Sequence, residues 1–205
     1  MNIIKRLALT ACAASALLAF AVGTAPANRA LGIRPGGPIF AEGPVRLNES
    51  LGVANIECEL HLEGVLRGVV QKVPSLPIGE AGMLTRDEFR ECETLRRPVV
   101  VEGLVEPGTP APIVYNSFLG VLPAITGVLM IALNVGVQVT IGESRCLYRG
   151  NVPFLLWKSP GEGLFNRKTF LANRLAYVRG NCMPASWLEL EGTMIMRPGQ
   201  MITLM

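Results

Sequence analysis

The chain predicts an all-β fold, mainly antiparallel: a sandwich or barrel-like single domain with one short helix and two disulfides. Three observations lead there. No charged side chain stands between Glu106 and Glu143, a length that first suggests a transmembrane helix. Within that stretch Leu129, Ile131, Leu133, Val135, Val137, Val139 and Ile141 take every second position. Met130, Ala132, Asn134, Gly136, Gln138 and Thr140 stand between them. Strict period two, rich in β-branched residues, belongs to a strand with one buried face, here the odd-numbered one. Residues 54–63 alternate in the same way, and short apolar runs punctuated by Gly and Pro recur to the C-terminus, as in sandwiches and barrels.

Taken in order, residues 1–27 read as a secretory signal peptide. Lys5 and Arg6 form a basic start, residues 7–23 an apolar run, and Ala25-Pro26-Ala27 a small-residue cleavage site. The tetrad ending at Cys12 resembles a lipoprotein box. Only about five apolar residues precede it, short of the ~7–15 that a hydrophobic leader core needs. Cleavage near Ala27 is therefore expected, with the mature protein secreted, extracellular or attached to the cell envelope. The leader takes two of the 19 basic residues and none of the 16 acidic ones, so the remainder is close to neutral. Its charges are too scattered for the dense basic stripe of a nucleic-acid binder. Without Cys12 the cysteines are Cys58, Cys92, Cys146 and Cys182, an even number suited to an oxidising compartment. Three connectivities are open, and the nearly equal spans favour Cys58–Cys92 and Cys146–Cys182. Each closed loop would contribute about 3–4 kcal/mol by the chain-entropy argument. A four-cysteine zinc site would want a C-x-x-C pair, which the sequence lacks.

Residues 28–50 are rich in Gly and Pro and read as an extended arm, followed by a β domain over 51–205. In the strand at 54–63, Ile56, Cys58, Leu60 and Leu62 share one face; Asn55, Glu57, Glu59, His61 and Glu63 share the other. It turns near Gly64 into a second strand at 65–73, and 74–82 is a loop. Thr85 with Glu88 forms a capping box, Leu84 and Phe89 a hydrophobic staple, and Phe89 and Cys92 keep helical spacing until Pro98. This is the predicted helix. Strands follow at 99–105, 113–119 and 127–141, then at 145–149 and 152–158 on either side of a Gly150-Asn151 turn. Residues 164–179 fit a helix through Leu171, Leu175 and Val178, or strands through Phe170, Ala172, Ala176 and Val178; strands are favoured. Strands at 187–190, 193–197 and 200–204 end the chain, with Pro198-Gly199 as a type II turn.

The chemistry is sparse. His61 is the sole histidine, and with Glu57, Glu59 and Glu63 it lies on one strand face, a candidate cation site. A solvated outer face explains the same pattern more simply. A Ser or Cys triad would need His61 as its base, and the nearest nucleophile look-alike, Ser144, is followed by Cys146, a disulfide candidate. Phosphate-loop and dinucleotide fingerprints do not occur. No catalytic residue, metal ligand or cofactor is assigned.

One set of residues resembles a recurring pattern. Tyr115, Ser117-Phe118, Gly120, Leu122-Pro123 and Ile125-Thr126-Gly127 are followed by Cys146-Leu147-Tyr148-Arg149-Gly150, then Cys182 and Pro184. Over residues 52–205 this is similar to secreted four-cysteine β proteins of unassigned function from high-GC Gram-positive bacteria. Met183 departs from the pattern by separating Cys182 from Pro184, and the tryptophan usual before the tyrosine block is missing. The resemblance implies secretion, disulfides and β structure, and no activity. The expected function is a secreted, disulfide-stabilised, non-catalytic binding or structural module whose partner is a cell-envelope component, with no nucleic acid bound and no transmembrane helix in the mature chain. The alternatives are a membrane-inserting β protein using the uncharged region 113–142 and an extracellular hydrolase.

Overall fold

The computed structural model describes residues 30–49, 55–71, 79–94, 99–105, 108–121, 124–171, 174–182 and 187–205. The leader expected over 1–27, with Cys12 and the cleavage site, lies outside them. Among the described residues every regular element is a strand: β1 (Leu31–Arg34), β2 (Gly37–Glu49), β3 (Asn55–Leu66), β4 (Val69–Val70), β5 (Gly79–Glu93), β6 (Val99–Gly103), β7 (Ala111–Val121), β8 (Ala124–Ile141), β9 (Ser144–Lys158), β10 (Phe165–Phe170), β11 (Arg174–Gly180) and β12 (Trp187–Leu204).

The antiparallel sheet closes on itself as a barrel of eight wall positions. Following the ladders, β12, β2, β3 and β5 lead to β7, β8 and β9, and β10 joins β9 back to β12. Two positions are each shared by two short strands. Between β9 and β12, β10 fills one end and β11 the other. Between β5 and β8, β7 pairs with the first half of β8 and β6 with the second. There β5 reaches the segment after β6 through Asp87, whose Oδ1 accepts from the Val105 amide at 2.8 Å. A side chain at Gly103 would collide with that carboxylate. β1 and β4 form a small flap on the last residues of β12.

The lumen is filled, not open. Leu47, Ile56, Leu60, Ile113, Tyr115, Met130, Tyr148, Leu156 and Leu175 are all fully buried in one apolar cluster. Closure removes the sheet edges that would otherwise invite pairing with other chains.

β8 is long and uncharged, as its alternation predicts, but its inner face changes parity part-way. Val128, Met130 and Ala132 face inward in the first half, Val135, Val137 and Val139 in the second. Leu133 and Asn134 together oppose the single Asn151 of β9. Asn134 takes a left-handed backbone (φ 55°), and its amide donates to the Asn151 side chain at 3.0 Å. This β-bulge shifts the pleat by one residue. So Leu129, Ile131 and Leu133 lie on the outside, contrary to an unbroken odd-numbered core face. The turn expected at Gly150-Asn151 is instead continuous strand opposite this bulge, and the true hairpin turn is Gly142-Glu143.

The predicted helix is absent: residues 79–93 are strand β5. Its helix-like spacing is produced by bulges. Cys58 of β3 faces a register shift between Arg90 and Glu93, where Glu91 has φ 49°, so Phe89 and Cys92 both reach the interior side although three residues apart. Residues 37–49, expected within an extended arm, are extended but run as wall strand β2 between β12 and β3. Residues 164–179 supply β10 and β11, as favoured. Pro198-Gly199 is not a turn between strands: β12 runs through it, from the β2 ladder to the β1 ladder.

The bulge makes a sharp contrast between neighbours. Met130→Asp and Val135→Asp should each cost several kcal/mol, the scale of a small domain's whole stability, by placing a carboxylate in the lumen. Leu129→Asp, one residue from Met130 but outside, should cost about 1 kcal/mol. Thermal melts check this; equal loss at positions 129 and 130 would remove the bulge.

Candidate functional site

The side chains singled out in the sequence are brought together, on the outer wall. Glu57, Glu59, His61 and Glu63 project from one face of β3. They are interleaved with cations from the strands on either side. Arg46 of β2 holds Glu57 at 2.6 Å and Arg86 of β5 approaches Glu63 at 3.6 Å. His61 is cross-strand to Glu42 and Glu88, with its Nδ1 3.9 Å from the Glu42 carboxylate. Arg90 donates twice to Glu88, at 2.9 and 2.8 Å, and this, with Arg86 nearby, holds the Glu88 carboxyl below the usual range. A shallow groove of about 360 Å³ runs over Phe40, His61, Arg90 and Arg197. An acidic face threaded with arginines in this way is a screened, ion-paired surface, with each exposed pair worth little in stability. Among the described residues no group of three His, Cys, Asp or Glu side chains is arranged to hold a metal ion.

The cysteines pair as favoured, Cys58–Cys92 and Cys146–Cys182. Both bonds lie at the same end of the barrel, where β3, β9 and β12 begin and β5 and β11 end. The first ties β3 to β5 and the second ties β9 to the segment after β11. The opposite end is closed by Gln200, fully buried, which accepts from the Gly36 amide (3.0 Å) and donates to the Pro198 carbonyl (2.9 Å).

Sequence reading missed two features. The first is Lys168 of β10, which points into the lumen between Leu156 and Met194. Its Nζ sits 4.1 Å from the Phe154 ring centre and 5.0 Å from that of Phe170, a favourable cation–π setting for the protonated form. Burial nevertheless outweighs it and pulls the amine down to about 7. Asp87 lines one of the two small lumen cavities beside it. These measure about 10 and 20 Å³, enough for a water molecule but not for an organic ligand. An amine next to Arg167 in a strand read as ambiguous gave no sequence signal of its direction.

The second is the division of the wall. Strands β7 to β11 contain no Asp or Glu, while seven Lys and Arg lie on β9, β10 and β11. The acids crowd onto β2, β3, β5 and β12. On the acid-free half the outer face is mainly apolar in successive cross-strand rows, Val114–Ile131–Pro153, then Ser117–Leu129–Leu155, then Leu119–Gly127–Trp157; Val114, Ser117, Gly127 and Leu155 are buried, and Leu119, Leu129, Ile131 and Pro153 half-buried. Without a side chain at Gly127, Leu119 and Trp157 close over the backbone there. Val121 beyond them is 79% exposed and Trp157 36%. The signal was present in the sequence as the gaps between Glu106, Glu143, Glu162 and Glu189; the bulge that turns Leu129 and Ile131 outward was not.

The nucleophile look-alike Ser144 begins β9, four wall positions from His61 on β3, so the fold does not assemble a triad from them. Comparison with protein-family models, curated proteins and solved structures finds no significant match.

Lys168 makes stability depend on pH in a defined direction. Its folded value lies near 7 and its unfolded value near 10.5, so between them the unfolded chain binds a proton that the folded chain has shed. Stability therefore rises with pH across that window, by about 5 kcal/mol, and the penalty is fully present below pH 7. Above pH 10 buried Tyr115, pushed up to about 12, reverses the trend. Denaturation at pH 6, 8 and 9.5 should give increasing midpoints, and Lys168→Met should be more stable at pH 6 and flatter. A wild-type midpoint independent of pH would contradict a buried amine.

Proposed function

We propose that this chain is an exported, disulfide-stapled β-barrel acting as a non-catalytic binding or structural module of the cell envelope or extracellular space. Its contact face is the outer surface of β7, of the first half of β8 and of β9 from Pro153 to Trp157, which carries no charged side chain. The observation that carries the reading is that surface: adjoining rows of apolar side chains on the outside of a barrel whose other half is covered by ion pairs. Val121 and Trp157 are exposed there and Leu119, Leu129, Ile131 and Pro153 partly so, and apolar area that reaches solvent on a folded domain marks an interaction site more often than chance placement. Export is supported by the leader read at residues 1–27 and by the two disulfides, which persist in oxidising compartments. The resemblance to secreted four-cysteine proteins points the same way.

Two other readings are less well supported. A barrel that spans a bilayer needs an apolar belt all round and tolerates a polar interior. Here the lumen is apolar, and β3 and β5 carry Glu57, His61, Glu63, Arg86 and Glu88 outward. No helix among the described residues is long and apolar enough to cross a membrane. A hydrolase built on a Ser-His triad would require a nucleophile near His61, and Ser144 is on the far wall.

Expression in a high-GC Gram-positive host, followed by fractionation, tests the proposal. The protein is expected outside the membrane, beginning at Asn28, with both cystines intact and largely retained in the envelope fraction. Leu129→Asp combined with Ile131→Asp should release it into the medium without unfolding it. Cytoplasmic protein with free thiols would remove export; identical partitioning of the variant would remove the contact face.

A further inference from the structure

We infer that the barrel carries an acid-sensitive seam: below neutral pH the wall parts between β5 and β6 and lets water into the lumen beside Lys168. The inference concerns the wall itself and is independent of the contact face proposed above. It starts from a gap in the hydrogen bonding. β6 is laddered to β8 alone, and β5 to β3 and β7. Residues 88–93 of β5 and 99–103 of β6 therefore run as neighbours in the wall with no ladder between them. One rung joins β5 to the segment after β6, where the Asp87 amide donates to the Val105 carbonyl at 3.4 Å. The next bond of an antiparallel pair would run from the Val105 amide to the Asp87 carbonyl. Here the Asp87 carboxylate takes it instead, at 2.8 Å, and the pairing stops. An outer cleft of about 480 Å³ lies along this seam, with Glu88 and Phe89 on one strand and Val101 and Glu102 on the other.

The cleft backs onto the buried amine. Asp87 and Phe89 line it, and they also line the lumen cavity of about 20 Å³ that Lys168 borders. These two side chains are the partition between solvent and the amine's cavity. β2, β7, β8, β9 and β12 bring only apolar side chains to the two cavities around Lys168. The other charged residues there are Asp87 of β5 and Glu63 of β3, and the Glu63 carboxylate is turned outward to Arg86. Tyr115, in the same core, keeps its proton below pH 10. The acid that borders the amine's cavity thus stands at the seam.

The closed lumen holds the amine best without its proton, because burial pulls it down to about 7. Water admitted at Asp87 returns it toward its ordinary 10.5, so the opened form binds a proton that the closed form sheds. Acid therefore favours opening, and alkali closure. The seam is also where opening disrupts least. Elsewhere a ladder must break, and Cys58–Cys92 fastens β5 to β3. Here, among the described residues, one backbone bond and one side-chain bond give way. Segments tied by so few bonds are the ones that open locally. Opening bares the facing edges of β5 and β6, which the closed wall hides.

Hydrogen exchange on the folded protein with both cystines intact, at pH 5, 6, 7 and 8 and corrected for the intrinsic rate, tests this. With the amine at about 7 closed and 10.5 open, the opening constant is about tenfold larger at pH 6 than at pH 8 and flattens below pH 6. Protection of the Asp87 and Val105 amides should fall by that factor, while the β2–β3 ladder stays the better protected at each pH. Lys168→Met should abolish the fall and raise protection at pH 6. Seam protection that is equal at pH 6 and pH 8, or that falls equally in Lys168→Met, would overturn the acid sensitivity. Exchange at Asp87 and Val105 no faster than in the β2–β3 ladder would mean that the barrel unfolds as a whole, and would overturn the seam.

Discussion

The junction between β9 and β12 is the constraint on which the rest of the structure depends. Without a strand between them the sheet would be open, with two long edges and an apolar face of some forty side chains on one side of a single layer. β10 and β11 close it, each over half the length. Closure forces every strand to keep one apolar face toward the lumen while bending round the wall. A straight period-two strand cannot do this over eighteen residues. The Leu133-Asn134 bulge in β8 and the bulges where β3 meets β5 absorb the bend. They also decide which side chains face outward, so the outer surface is a by-product of closure.

The same geometry explains what could be read from residue order. The strand at 54–63 was legible because its partners leave its alternation intact: Ile56, Cys58, Leu60 and Leu62 are buried, and the glutamates and His61 between them are not. The cystine pairing was legible from spacing because each pair joins strands that are adjacent in space and separated by one short strand in sequence. The inward face of β8 was legible only from Val135 onward. Nothing local distinguishes a bulge at Asn134 from another outward polar residue, since the extra residue is fixed by Asn151 across the ladder. In β5 the misreading was more complete. Thr85, Glu88, Phe89 and Cys92 satisfy capping and spacing rules for a helix, and tertiary pairing with β3 and β7 overrides them. The candidate site divides likewise: the Glu57–Glu63 face was visible by inspection, whereas Lys168 and the outward turn of Leu129 and Ile131 depend on partners distant in sequence.

Two halves of one wall then carry different work. On β2, β3 and β5, alternating Glu and Arg form a hydrated surface whose charges cancel locally. On β7, β8 and β9, side chains that elsewhere would be core lie on the outer face, Val114 and Leu155 buried and Leu119, Leu129 and Ile131 half-buried. The staples fasten one end of the barrel, and Gln200 with the β1–β4 flap fills the other. A wall held at both ends keeps the apolar rows in a fixed plane, and the lumen cavities beside Lys168 are no larger than a water molecule or two. Among the described residues Lys168 is a buried cation-forming group that works against this packing, and its cost is limited because the amine can lose its proton.

Cross-strand nuclear Overhauser effects around Lys168 test the closed barrel most directly. The account predicts contacts from the Lys168 backbone to Leu156 on one side and to Met194 on the other, together with Leu175 to Leu188 and Tyr177 to Tyr148 from β11. Contacts to β9 alone, with Met194 and Leu188 amides exchanging rapidly as a free edge, would mean an open sheet and would contradict it.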